Sequence, residues 1–254
     1  IFIREYISNA SDACDKLRYA QLKNPSLMKK GEEFKILVTA DKKNNVLEIS
    51  DNGIGMTKDE LIESLGTIAK SGTEDFIKKM EKENNKDIDQ IGKFGVGFYS
   101  GFMVAKKIEV LSKKAGTNES WQWSSEGKGK FDIEKADKVS HGTSVKIFLN
   151  TDSKDYSEKI RIENIIKKYS DHITHSVYIL ESDAKDKNEE KINKGTALWN
   201  KDKKEIKKEE YEEFYTNVGP NYDKPWKVIH NKIEGNLNYT NLIFIPSEKP
   251  FDLL

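Results

Sequence analysis

The chain opens in a helical rhythm. At about 100° per residue, Phe2, Tyr6, Ala10, Ala13, Cys14 and Leu17 fall on one arc, which predicts a helix over residues 1–22 with that arc turned to the core. Arg4, Ser8, Ser11, Asp15 and Arg18 share another arc and are expected to face water. Glu5, Asn9, Asp12 and Lys16 fall between the two, on the rim of the apolar face. A wide solvated face accounts for that rim better than a partly buried polar site does.

The rhythm then shortens to period two. Strands over 34–40 and 46–50 read as a hairpin, with Asn44 and Asn45 as turn residues that tolerate positive φ. Thr57 and Glu60 make a capping-box pattern that starts a helix near Lys58, with Leu61, Ile62, Leu65, Ile68 and Ala69 as its stripe. A second helical pattern covers 74–83, and 84–89 is polar and loop-like. Strands are expected over 107–112, 120–125, 130–134 and 143–149, with Trp121 and Trp123 on one face of the second. An amphipathic helix over 157–173 and a strand over 177–180 follow. Consecutive strands with helices segregated before and after them predict an α+β layer built on an antiparallel sheet.

Residues 182–194 are almost wholly polar and read as a short charged linker. Beyond them a new pattern starts with Ala197, Leu198 and Trp199, then a helix over 208–217 and a strand over 242–246. The expected organisation is one domain over 1–181, the linker, and over 195–254 the start of a second domain, too short for a comfortable core of its own.

Composition narrows the function classes. Charged residues make up 34% and hydrophobic residues 36%, with aromatics at 10%, so the chain can bury a core. Lys+Arg and Asp+Glu balance at 43 each, which leaves no basic excess for nucleic acid. No apolar run approaches the roughly 20 residues of a membrane span, so neither nucleic acid nor membrane is expected as a partner. Cys14 is the only cysteine, so no intrachain disulfide or multi-cysteine metal site is possible, and a reducing setting fits. The chain lacks an initiator Met and begins inside a helical pattern, as a fragment would.

Three groups of residues could carry chemistry. Gly92, Gly95 and Gly97 form a glycine-rich segment that lets backbone N–H groups approach phosphates. Its order is neither the dinucleotide fingerprint nor a Walker loop, and a plain tight turn explains it equally well. Asp51, Gly53 and Gly55 place a carboxylate at a strand end beside two glycines. An acceptor there could take a hydrogen bond from an exocyclic amine, and the glycines leave room for a flat ring. Glu5 and Asn9 are four residues apart and share a helical face. Asn9 can ligate Mg²⁺ through its amide oxygen and Glu5 can take a proton from water. Those are two requirements of phosphoanhydride hydrolysis; Lys70 or the glycine segment could supply donors for the γ-phosphate. His141, His172, His175 and His230 are scattered, and no third ligand accompanies the i, i+3 pair. Cys14 is expected in the core.

Taken together and in order, these segments resemble the heat-shock protein 90 chaperone family. The likeness rests on the run from Ile3 to Ala13, Asp51-Asn52-Gly53-Ile54-Gly55-Met56, the run from Leu65 to Thr73, and the run from Ile91 to Ser100. It continues past the linker in Ala197-Leu198-Trp199, Glu209-Glu210-Tyr211 and Pro250-Phe251-Asp252-Leu253, which look like the start of that family's middle domain.

The resemblance implies an ATP-driven chaperone with the fold shared by gyrase, histidine kinase and mismatch-repair ATPases. That fold is a two-layer α/β sandwich with helices on one face of a mostly antiparallel sheet. It also implies ATP/ADP and Mg²⁺ as cofactors, client proteins as partners, a homodimer in the longer protein, and a bacterial cytoplasmic setting, with the mitochondrial matrix as alternative. By the same resemblance Glu5 is the general base, Asn9 holds Mg²⁺ and phosphate, and Asp51 binds the adenine amino group. Gly55, Met56 and Thr143 line the base pocket, and Asp12, Ser64 and Leu65 border the site. Lys70, Gly95, Val96, Gly97 and Phe98 meet the phosphates, and residues 66–97 look like a lid.

Ser64, Lys93 and His141 depart from the family's usual residues. A strand and a helix would precede Ile1, and the arginine used on the γ-phosphate would lie beyond Leu254. Two other classes remain in view. A histidine kinase would want a phosphoacceptor helix, which none of the four histidines supplies, and a DNA-linked ATPase would show basic charge. A non-catalytic interaction module would not need both Glu5 and Asn9.

Overall fold

The first helix of the computed structural model, α1, runs Phe2–Gln21 and buries Phe2, Ile3, Tyr6, Ile7, Ala10, Cys14 and Leu17. The structure describes residues 1–71, 97–182, 188–195, 198–218, 223–233 and 239–249. Ser11 corrects the helical reading: it is buried, not turned to water. Ile3 and Ile7 widen the buried face by one row, and Ser11 continues that row at i+4.

The hairpin forms from β1 (Lys35–Asp41) and β2 (Val46–Asp51), paired antiparallel, with Asn45 at φ 53 in the turn. The capping box opens α2 (Lys58–Ser71): Thr57 N donates to Glu60 Oε2 at 2.8 Å and Glu60 N to Thr57 Oγ1 at 3.3 Å. The expected helix over 74–83 and the loop after it lie outside the described residues. A 3₁₀ segment, Gly97–Met103, leads into β3 (Ala105–Lys113), followed by β4 (Ser120–Ser125), β5 (Asp132–Ala136) and β6 (Gly142–Leu149).

The pattern over 157–173 predicts one long helix, but the structure shortens it at both ends. Thr151–Ser157 is 3₁₀, Glu158 is extended, and only Lys159–Tyr169 is the α-helix α3. Ser157 Oγ donates back to Lys154 O at 2.6 Å and closes the 3₁₀ turn before α3 can begin. Next come β7 (Ser176–Glu181) and the short β8 (Glu190–Lys191).

Among the described residues these strands form an eight-stranded sheet in the order β5-β4-β3-β6-β2-β1-β7-β8. Every pair is antiparallel except β1 with β7. α1 packs on β1 and β2, α2 on β4, and α3 on β7. Alternate strand residues such as Val38, Ile49, Val110 and Ile147 meet Ile7, Leu61 and Ile162 of the helices in one core. This is the expected α+β sandwich on a mostly antiparallel sheet. Trp123, fully buried, packs against Phe98 and Phe131 at centroid separations of 5.7 Å and 6.0 Å.

Contacts divide the chain into two units, Ile1–Asn193 and Lys194–Leu254. Part of the charged stretch thus belongs to the first unit. β8 pairs with β7, Glu189 is ion-paired with Lys35, and Lys159 Nζ lies 2.9 Å from Glu190. In the second unit α4 (Lys208–Val218) accompanies a hairpin of β9 (Pro225–Ile233) and β10 (Tyr239–Pro246). Phe214 and Tyr215 pack on Phe244. β9 escapes a pattern search because its residues are mostly exposed and carry no apolar alternation. Among the described residues no helix is long and apolar enough to cross a membrane.

Candidate functional site

The rim of α1 is the wall of a cleft. A cavity of about 380 Å³ opens between α1, the end of β2, α2 and the inward faces of β3 and β6. That volume lies within the range of small-molecule sites, about 300–1,000 Å³. Asn9 and Asp12 line it from the helix. Lys16, one turn on, lines it as well; it shares the rim but belongs to none of the motifs. Glu5 stands one turn before Asn9 and is not among the lining residues. Its side chain is 13% exposed, and Arg4 Nη2 lies 3.1 Å from its carboxylate. A Cβ at position 97 would collide with that carboxylate, so Gly97 is the residue that lets the 3₁₀ segment pass beside Glu5.

Asp51 lies at the bottom of the cleft. Its Oδ1 accepts from Gly53 N at 2.8 Å and from Thr143 N at 3.3 Å. Among the described residues both bonds fall on Oδ1, which leaves Oδ2 for a ligand. Burial raises its carboxyl from 3.8 to about 7, against the opposing pull of the two backbone N–H groups and the Lys138 charge. Gly55, at φ 63, carries the chain past Lys113 O, where any side chain would strike the carbonyl. His141 Nδ1 lies 3.0 Å from Gly53 O. A carbonyl only accepts, so this ring nitrogen carries the hydrogen.

Gly55, Met56 and Thr143 line the cleft around Asp51, and Ser64 and Leu65 of α2 border it. Phe98 closes another side, held by Tyr6, whose hydroxyl donates to Phe98 O at 2.6 Å. Lys70 is placed on α2 by its backbone, but its side chain is outside the described residues, as are Gly95 and Val96. The inward residues Ile49, Val110 and Val145 also line the cleft. Strand alternation marks them as buried, but only the β3–β6–β2 pairing brings them to one place.

The other candidates disperse. Cys14 is fully buried and its thiol is pushed up to about 12 by burial. His175 is buried with Nε2 3.1 Å from Asp15 Oδ1. Among the described residues no group of three or more His, Cys, Asp or Glu could hold a metal ion.

A family described as histidine kinase-, DNA gyrase B-, and HSP90-like ATPase matches residues 2–153, and one described as Hsp90 protein matches residues 183–254. The whole chain is 49% identical over 253 residues to Chaperone protein HtpG of Roseobacter denitrificans, covering 40% of that protein. It is 46% identical over 256 residues to the protein of that name from Wolbachia pipientis wMel, again covering 40%. The same name belongs to a Borreliella afzelii protein, 49% identical over 262 residues, of which the chain covers 42%. The chain therefore spans about two fifths of the length of these curated relatives.

Proposed function

Because this chain belongs to the histidine kinase-, DNA gyrase B-, and HSP90-like ATPase family, we propose that its cleft binds ATP and ADP and that it works as the nucleotide-binding part of an ATP-dependent molecular chaperone. The observation that carries the reading is Asp51: a buried carboxylate at the bottom of a cleft, with one oxygen engaged by two backbone N–H groups and the other turned to no protein donor among the described residues. An exocyclic amine completes it. The relatives' printed name, Chaperone protein HtpG, supports the chaperone part.

Within this reading Asp51 takes the adenine amine, and Gly55, Met56 and Thr143 shape the pocket around the ring. Ser64, Leu65 and Asp12 stand at its border. Asn9, which lines the cleft from α1, serves the phosphate end. Mg²⁺ usually keeps several waters and takes one or two protein ligands plus substrate phosphates, so a neutral amide oxygen without an acidic cluster suits it. Bound there, the ion would neutralise phosphate charge. Glu5 takes the proton of the attacking water, its carboxylate held by Arg4 and backed by Gly97. Phe98 and Gly97, with Lys70, Gly95 and Val96, belong to the phosphate side. Client proteins, a homodimer of the longer protein and a bacterial cytoplasmic location complete the proposal.

Calorimetric titration of ADP into the chain and into Asp51→Asn tests it. The amide would keep its oxygen on Gly53 N and Thr143 N and turn an N–H toward the amine. Affinity should fall at least about a hundredfold, because two donors then face each other in a buried site. Unchanged affinity in the variant would refute the adenine assignment.

A further inference from the structure

We infer that Ser112 is a positioning residue for the base end of the cleft: it directs the Thr143 hydroxyl and fixes the Met56 backbone without touching the ligand. The inference rests on the reading of the cleft as an adenine-nucleotide site. Ser112 stands on the inward row of β3, fully buried, opposite Thr143 of β6. It does not line the cleft, whereas Met56 and Thr143 both do. Its Oγ lies 2.8 Å from Met56 N, 2.9 Å from Thr143 Oγ1 and 3.4 Å from Gly142 O.

A serine hydroxyl has one hydrogen to donate and two lone-pair sites. Met56 N–H can only donate, so one lone pair is taken. Two arrangements remain. In the first, Thr143 donates to Ser112, and Ser112 donates over the longer gap to Gly142 O. Thr143 then offers the cleft only a lone pair. In the second, Ser112 donates to Thr143 across 2.9 Å and the Thr143 hydrogen turns into the cleft.

A purine that gives its exocyclic amine to Asp51 carries an acceptor nitrogen beside that amine, and this nitrogen needs a donor. The second arrangement supplies one. Thr143 N is itself bonded to Asp51 Oδ1, so the acceptor for the amine and the donor for the ring are held on one frame. The chain Met56 N–H to Ser112 to Thr143 also polarises the terminal hydroxyl, since linked hydrogen bonds strengthen one another. Ser112 therefore selects for an aminopurine by letting Thr143 act as a donor while its own oxygen stays satisfied.

A double-mutant cycle on the 254-residue chain, read by ADP calorimetry, tests this. Ser112→Ala should weaken ADP about tenfold, the size of one good hydrogen bond. With Thr143→Val already in place, the same substitution should cost less than about twofold, because the group it acts through is gone. Ser112→Thr keeps the hydroxyl and should stay within about threefold of the unsubstituted chain. Melting temperature reads the other bond: Ser112→Ala should lower it in both backgrounds, since Met56 N–H loses its partner either way. If the alanine variant does not fold, Ser112→Cys, close in volume and a weak hydrogen-bonding group, takes its place in the cycle. Equal loss of affinity in both backgrounds, or no loss, overturns the role of Ser112 and leaves the nucleotide reading standing. Absence of ADP binding by the unsubstituted chain overturns that reading and this inference with it.

Discussion

Asp51 ties the cleft to pH. Its folded carboxyl titrates at about 7 against an ordinary value of 3.8. Between those values the folded, ligand-free chain holds a proton that the unfolded chain has released. Its contribution to stability therefore falls as pH rises from about 4 to about 7 and is level above. Asp51→Asn removes that slope, so in urea melts without nucleotide the variant should gain on the order of 2–4 kcal/mol at pH 8 and almost nothing at pH 4. Nucleotide affinity runs the other way. On the proposed reading the adenine amine needs the ionised oxygen, so ATP affinity, corrected for the phosphate's own titration, should be about tenfold weaker at pH 6 than at pH 8. Glu5 gives a different kind of outcome. Glu5→Gln in the longer protein should bind ATP within a few-fold of normal and lose turnover by about 10² or more, as removal of a general base does; single-turnover assays measure both. Motif order singled out Asn9 and Asp51 in the sequence, and both line the cleft. Ser112 was not singled out, because a serine in a strand carries no signal until β6 is laid beside it.

The elements divide between those set by local chemistry and those set by pairing. α2 begins where Thr57 and Glu60 satisfy each other's backbone. Thr57→Ala should lower stability by about 1 kcal/mol in a thermal melt, with a smaller loss for Thr57→Ser. Capping boxes, hairpin turns and 3.6-residue stripes are properties of neighbouring residues, which is why α1, the β1–β2 hairpin and α2 can be read directly. β9 and the shortening of the 157–173 pattern could not. One lacks an apolar alternation, and the other follows from a 3₁₀ turn that runs to Ser157 and a helix that stops at Tyr169. The site sits across both kinds. α1 brings its polar rim by local pattern, while Ile49, Val110 and Val145 reach the same cleft through strand register.

The first unit ends at Asn193, whose side chain is spent within it. Its Oδ1 accepts from Val177 N at 2.8 Å, and its Nδ2 donates to Ile173 O at 2.8 Å and His175 O at 3.0 Å. Asn193→Ala leaves a buried backbone N–H and two carbonyls short of a partner. It should cost about 2–3 kcal/mol in calorimetry, confined to the transition of the first unit; a shift of the second unit's transition would contradict the division. The sheet order carries a consequence for how the protein is made. β1 is bordered on one side by β2 and on the other by β7, which begins about 135 residues after β1 ends. A ribosome adding about 5–20 residues per second leaves that side of β1 without its neighbour for roughly 7–27 s. Through that interval the nascent chain presents an open strand edge, a template for pairing with any other extended chain. This is the hazard that chaperones exist to contain, here written into the synthesis of a chain proposed to be part of one.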